Sequence, residues 1–315
     1  MTGVMSRETD VHHLASGEYS LFVTDAGAGG SSFGPFALTR WTPDMTLQAD
    51  AFALYVRDLD TGRYWSAGYQ PAQRRPERYA VRADSFCVEI TRLDDEIESS
   101  VEVMIAPGDT VELRRLTLTN RSSRYRRLDV TSYAELVLNS LRADASHPAF
   151  SKLFVQTEFL AERQALLAKR RLRSPEDDPL WVVHLLPAAD DAEGRSVVGW
   201  ETDRMRFLER GRTPASPRAL DIDARLSGTT GNVLDPVVSL RRVLLIPPGQ
   251  SARVVAVLGA AASREGAEVI AERYETLSGA EEPFGAIAHG WDASMAAERD
   301  APTIFLAGGT PRFRA

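Results

Sequence analysis

The 315-residue sequence predicts an all-β protein, a large antiparallel sandwich followed by a short C-terminal helical linker and a tail. Three observations carry that expectation. Runs rich in Val, Ile, Leu, Tyr and Thr recur through most of the chain, separated by Gly, Pro, Asp and Asn. The clearest of them, Val111 to Leu118, alternates apolar and polar residues almost throughout, which puts one face on a core and the other in water. Apolar residues at helical spacing are confined to the region after Ala262. The expected organisation is a sandwich over 12–262, a helical linker over 263–299 and a tail over 300–315.

In chain order, Tyr19–Thr24 and Phe52–Asp58 read as strands, and Asp60-Thr61-Gly62 supplies the corner of a hairpin. Ser85–Arg92 and Glu98–Ile105 follow, then Pro107-Gly108-Asp109 as a second corner, then Val111–Asn120. Arg127–Leu138 and Leu153–Phe159 flank a polar excursion, expected as one exposed loop. Its His147-Pro148 pair cannot continue either strand, because proline lacks a donor and biases its predecessor towards extended geometry. Leu166–Arg171, Trp181–Leu186, Val238–Ile246 and Arg253–Ala260 complete the strands. Ser263 before Arg264-Glu265-Gly266-Ala267-Glu268 reads as a helix start, with Val269, Ile270 and Tyr274 at helical spacing and Ser278-Gly279 as the stop. A second helix is expected between Glu282 and Arg299, around Ile287 and Trp291.

Composition sets the class. Hydrophobic residues at 43% and charged residues at 26% are those of a globular chain with a buried core. A formal net charge of −7 disfavours nucleic-acid and anionic-membrane partners. The N-terminal region lacks a basic start followed by an apolar run, and no stretch approaches about 18 apolar residues, so a soluble cytoplasmic protein is expected. The single cysteine, Cys87, rules out an internal disulfide and is expected as a buried thiol. His12-His13 is an adjacent pair near a terminus, and His147, His184 and His289 lie far apart, so neither a metal site nor a cofactor is expected.

Four motifs bear on function. The run Gly17 to Ser32, continuing to Thr39-Arg40-Trp41, carries a Gly-rich loop, but a strand precedes it, no helix-forming run follows and the Lys-Ser/Thr ending of a phosphate loop is missing. Tyr64-Trp65-Ser66-Ala67-Gly68-Tyr69-Gln70-Pro71 sets aromatic rings beside Gln and Arg; such rings stack on a pyranose face while planar polar groups take its hydroxyls, or else they pack a hairpin. Trp200 to Arg212 holds Arg204, Arg206, Arg210 and Arg212, which suit a phosphate or carboxylate, or pair with the interleaved Glu201, Asp203 and Glu209. Tyr133 to Phe159 holds the loop with His147-Pro148-Ala149-Phe150-Ser151.

These motifs, together with Leu226 to Pro236, resemble those of the amino-terminal sandwich of the glycosyltransferase family 36 proteins, now grouped with the family 94 glycoside phosphorylases and the cyclic β-1,2-glucan synthases. The resemblance is nearly continuous from about residue 12 to 262. It implies a galactose mutarotase-like super-β-sandwich that binds β-glucan oligosaccharides or serves as an accessory domain. The implied substrate-binding set is Arg40, Trp41, Trp65, Tyr69, Gln70, Arg204 and Arg206. In the family the general acid and the phosphate site belong to a helical barrel that follows the sandwich, so no catalytic residue is carried over. A separately encoded barrel, or a second copy of the chain, is the implied partner, with His147, Phe150, Phe284 and Trp291 expected at the exposed interface. A stand-alone glycosidase or glucosyltransferase using carboxylates on a concave sheet face, and a structural docking subunit, are the alternatives.

Overall fold

The computed structural model describes residues 10–42, 50–172, 174, 177–188 and 199–286. The chain moves back and forth between two antiparallel sheets of nine and eight strands. The first sheet receives β1 (Val11–Ser16), β2 (Tyr19–Thr24), β3 (Gly29–Phe33), β4 (Phe36–Thr39), β5 (Ala53–Asp58) and β6 (Tyr64–Ser66). The second receives β7 (Arg78–Ala83), β8 (Cys87–Asp94), β9 (Ile97–Ile105) and β10 (Val111–Asn120). The chain returns to the first sheet as β11 (Arg126–Asn139), turns through α1 (Leu141–Ser146) and α2 (Pro148–Lys152), and re-enters the second as β12 (Val155–Leu160), β13 (Ala165–Arg170) and β14 (Trp181–Leu185). Next come β15 (Gly199–Asp203), α3 (Arg204–Leu208), β16 (Pro236–Ile246), β17 (Ser251–Ala261) and α4 (Arg264–Tyr274). Among the described residues no helix is long and apolar enough to cross a membrane.

The fourteen-residue β11 is the spine of the first sheet. One edge pairs with β16; the other pairs with β5 through Leu128–Tyr133 and then with β4 through Leu136 and Asn139. The change of partner falls at a register shift in which buried Leu138 adopts φ +50°, the sort of kink that re-aims a strand end. The strands that the sequence hides, β1, β3, β4, β6, β7 and β15, are short, glycine-containing or at a sheet edge. β7, for example, is an edge strand exposed along most of its length, with only Tyr79 and Val81 half-buried against the core.

The space between the sheets is filled by apolar side chains such as Leu21, Leu38, Val56, Ile90, Leu116, Leu136 and Leu240. Buried polar contacts also cross it, among them the following. Ser31 and Tyr19 of the first sheet donate to Glu112 of the second, which also accepts from Arg114 Nε at 2.6 Å. The Ser132 hydroxyl meets His184 Nε2 at 2.7 Å, and Trp65 Nε1 donates to Ser99 Oγ at 3.2 Å. Each is buried, so a slipped register would strand a polar group as well as shift apolar ones.

The outer face of the second sheet is covered by α4. Ser263 caps it by accepting from the Gly266 N–H at 3.0 Å, as the sequence signals. Ala267, Ile270, Ala271 and Tyr274 pack on Leu113, Val183, Val255 and Val257. Val269, expected on the same face, is instead 64% exposed. Residues 277–286 are again helical, and Phe284, expected at an exposed interface, is 7% exposed beneath the Arg115 guanidinium at 4.1 Å from its ring. The reason is that the residues after α4 stay against the sheet, through Ala280 and Phe284, where an exposed linker was expected. Ile287 and Trp291 lie outside the described residues. Cys87 is half-buried on this outer face, opposite in side to Val88 and Ile90, where burial and then Glu102 push its thiol up to about 12 and keep it protonated at neutral pH.

The Gly-rich loop is a packing device. A Cβ on Gly68 would lie 2.7 Å from the Ala26 carbonyl oxygen and 2.8 Å from Gly27 Cα, so two backbones touch there. Gly68→Ala is expected to cost about 1–3 kcal/mol by overpacking, visible as a lower urea midpoint with an unchanged slope. A midpoint equal to that of the parent chain would show that the two loops move apart freely.

Candidate functional site

The outer face of the first sheet carries Tyr55, Arg57, Asp129, Thr131, Tyr133, Glu135 and Arg241, side chains with polar groups. They are buried because residues 204–226 fold over them. Phe207, Leu208, Ala219 and Leu220 supply the apolar underside of this cover, and the Phe207 ring stacks on Tyr133 at 4.5 Å. Two buried arginines fasten it: Arg241 donates to the carbonyls of Ala219 (2.6 Å) and Ala224 (2.9 Å), and Arg57 donates to that of Asp221.

Where the cover ends, a charged network surrounds Glu135. Glu135 Oε1 accepts from Arg204 Nε at 2.6 Å and from the Tyr133 hydroxyl at 2.8 Å, and Oε2 lies 3.4 Å from Arg40 Nε. Arg40 holds Asp144 through Nη1 at 2.5 Å and Nη2 at 3.2 Å. Asp235 sits 3.8 Å from Arg204 and 2.6 Å from Lys152 Nζ. Backbone bonds fix the frame: Arg40 N–H donates to the Glu135 carbonyl and Arg204 N–H to that of Asp235, both at 2.9 Å. Burial and then the Glu135 charge hold the Tyr133 hydroxyl well above its ordinary value. Burial works against the charge on Arg204, but Glu135 outweighs it and raises the guanidinium further.

Three acids thus meet three bases, and both Glu135 oxygens are engaged. A carboxylate so placed is a poor proton donor or acceptor for a substrate. The network instead offers fixed donors and acceptors at its mouth, where Arg204, Asp235 and Lys152 keep 32%, 26% and 17% of their side-chain surface. Such an array suits an uncharged, hydroxyl-rich ligand better than an ion.

Of the residues expected from sequence, the structure brings Arg40 and Arg204 together here. Trp41, next to Arg40, is half-buried and packs edge-on against Phe22 at 4.8 Å. Arg206 leaves the network and lies 3.9 Å from Asp203 on the rim, with 59% of its side chain exposed. Trp65 is 2% exposed in the core, so it has no face for a sugar ring. Tyr69 and Gln70 belong to a separate loop, where Gln70 is buried and accepts from Gln73 at 3.3 Å. Asp144 and Lys152 are missed by sequence reasoning, since they come from the presumed loop. That loop is two short helices, the first capped by Ser140 and the second opened by Pro148 in its first turn. His147 and Phe150 sit there exposed, Phe150 with its ring 5.1 Å from Phe154.

Comparison with known proteins agrees with this architecture. The model of the glycosyl hydrolase 94 supersandwich domain matches residues 2–277. Cyclic beta-(1,2)-glucan synthase NdvB of Rhizobium meliloti (strain 1021) is 39% identical over 261 residues, 83% of this chain and 9% of that protein. Solabiose phosphorylase of Paenibacillus borealis is 25% identical over 299 residues, 92% of this chain and 36% of that protein. The chain therefore spans well under half the length of these relatives. Among solved structures, a galactose mutarotase related enzyme from Lactobacillus acidophilus aligns over 81% of this chain and 99% of its own, at a TM-score of 0.40 and 9% identity. With a family match along nearly all of two cross-linked antiparallel sheets, the chain belongs to the glycosyl hydrolase 94 supersandwich domain family.

Proposed function

We propose that the chain is a carbohydrate-binding accessory domain that works in the cytoplasm with a catalytic helical barrel on β-glucan oligosaccharides. The observation that carries this reading is the open mouth of the Glu135 network, where Arg204, Asp235 and Lys152 present fixed polar groups beside exposed Met205, Phe150 and Leu234. Polar groups held in place next to apolar surface are what a sugar needs, hydroxyls on one side and a C–H face on the other. The relatives named for glucan synthesis and disaccharide phosphorolysis are much longer than this chain, so their named activities belong to more sequence than it spans. The exposed apolar residues of α1 and α2, Leu141 and Phe150 among them, are the surface such a barrel would cover.

Calorimetric titration of the chain with β-1,2-linked gluco-oligosaccharides tests the binding half. Saturable binding is expected, and Arg204→Gln, which removes one charged donor at the mouth, is expected to weaken it about tenfold. Binding unchanged in Arg204→Gln would remove the network from the site. No binding, either alone or with a barrel protein added, would overturn the reading.

A further inference from the structure

A second cleft, of about 500 Å³, lies between the β5–β6 turn, residues 74–77 and the β8–β9 turn. Its acids and bases are not in balance. Asp94 is chelated by the fully buried Arg92, at 2.6 Å from Nε and 2.7 Å from Nη2, and Asp95 accepts from buried Arg126 at 3.0 Å. Asp94 is thereby neutralised from beneath, whereas Asp95 shares the Arg126 charge with buried Asp58. Glu77 accepts the Asp95 N–H at 3.1 Å, and these two acids stand against Arg63, Arg74 and Arg75 in the lining of the same cleft. Arg63 is 71% exposed and reaches Asp95 at 3.4 Å, too long for a strong pair. Arg75 has no side-chain partner among the described residues.

Arg74 is held ready. Its guanidinium lies over the Tyr64 ring at 5.0 Å and donates to the Tyr64 hydroxyl at 3.3 Å, while its carbonyl accepts from Arg92 at 3.0 Å. Tyr64 is itself fixed by donating to the Ala215 carbonyl at 3.1 Å. Exposed Ile222 packs against Gly62 beside these cations, adding apolar surface. A planar guanidinium with its other donors free, an unpaired neighbour and adjoining apolar atoms suit an oxyanion attached to something with a C–H face.

We propose that this cleft binds an acidic saccharide, a sugar bearing a phosphate or carboxylate group, with Arg74 and Arg75 taking the oxyanion. The saccharide part rests on the carbohydrate reading above, whereas the oxyanion part stands on the cleft alone. Titration in low-salt buffer with glucose 6-phosphate, glucuronic acid, glucose and inorganic phosphate tests it, with chemical shifts of the Tyr64 and Ile222 signals as the readout. Glucose 6-phosphate and glucuronic acid are expected to shift both signals, glucose neither, and inorganic phosphate to bind about tenfold more weakly than the sugar phosphate. The double variant Arg74→Gln/Arg75→Gln is expected to weaken both acidic sugars by about tenfold or more. Arg82→Gln, which removes one positive charge at an exposed position of β7, is expected to leave them unaltered. Equal loss in both variants, or none in the double variant, overturns the site. Phosphate binding as tightly as glucose 6-phosphate overturns its saccharide specificity. The neutral β-1,2-gluco-oligosaccharide titration, run on the same double variant, is expected to be unchanged, so failure of either reading is seen separately.

Discussion

Replacing Asp58 by Ala is expected to lower the free energy of unfolding by about 3–5 kcal/mol, the range found when one partner of a buried ion pair is removed. Asp58 and Arg126 are both fully buried, and Asp58 Oδ2 accepts from Arg126 Nε at 2.9 Å and Nη2 at 2.7 Å. The other oxygen, Oδ1, accepts the N–H groups of Asp60 and Thr61 at 2.8 and 2.9 Å and so shapes the turn that Gly62, at φ +73°, completes. Burial alone would raise this carboxyl, but the Thr61 N–H and Arg126 together hold it below the ordinary aspartate range. Asp58→Ala leaves the Arg126 charge with Asp95 and two turn donors without an acceptor. The double variant Asp58→Ala/Arg126→Met, which removes both charges, is expected to recover part of the loss. Urea unfolding checks both, and a loss below about 1 kcal/mol for Asp58→Ala would show that water reaches the pair.

Acid is expected to weaken the sandwich through His184 before the carboxylates titrate. The ring is fully buried between the sheets, with Nδ1 donating to the Val257 carbonyl at 2.8 Å and Nε2 accepting from Ser132. Burial lowers its pKa from 6.5 to about 4. The unfolded chain therefore takes up a proton near pH 6.5 that the folded chain refuses until about pH 4. Stability from this group is complete above pH 6.5 and is lost as pH falls, by about 3 kcal/mol over that window. Asp58, Glu158 and Asp221, whose carboxyls are lowered in the fold, lose their contributions at lower pH than this. Thermal melts at pH 7 and pH 4.5 measure the effect. His184→Gln, which keeps a donor and an acceptor but does not titrate, is expected to flatten the difference; an equal fall in both proteins would place the acid sensitivity elsewhere.

Particular residues show how far the pattern of the chain reaches. The alternation from Val111 to Leu118 was enough to place β10, and Ser263 with the acids after it placed α4. These are local effects: a two-residue period or a capping side chain acts within a few positions of itself. The strand that carries Tyr133 and Glu135 was legible as Arg127–Leu138. Arg40 and Arg204 were legible as candidate ligand residues, though nothing local joins them, because they stand 164 positions apart.

The amino-acid sequence by itself determined the two-sheet class, most of the long strands, the capped helix and the family, since each is written in contiguous residues. The tertiary structure decided the rest. It sent Trp65 into the core, laid Phe284 under Arg115, and turned the loop after β11 into two helices that deliver Asp144 and Lys152 to the site. It also buried the polar face of β11 beneath residues 204–226, so that Arg57 and Arg241 became fasteners and Glu135 the centre of a network. The physical reason is that the ionic contacts holding Glu135 join residues 69 and 95 positions apart, where each charge has many possible partners and packing alone selects one.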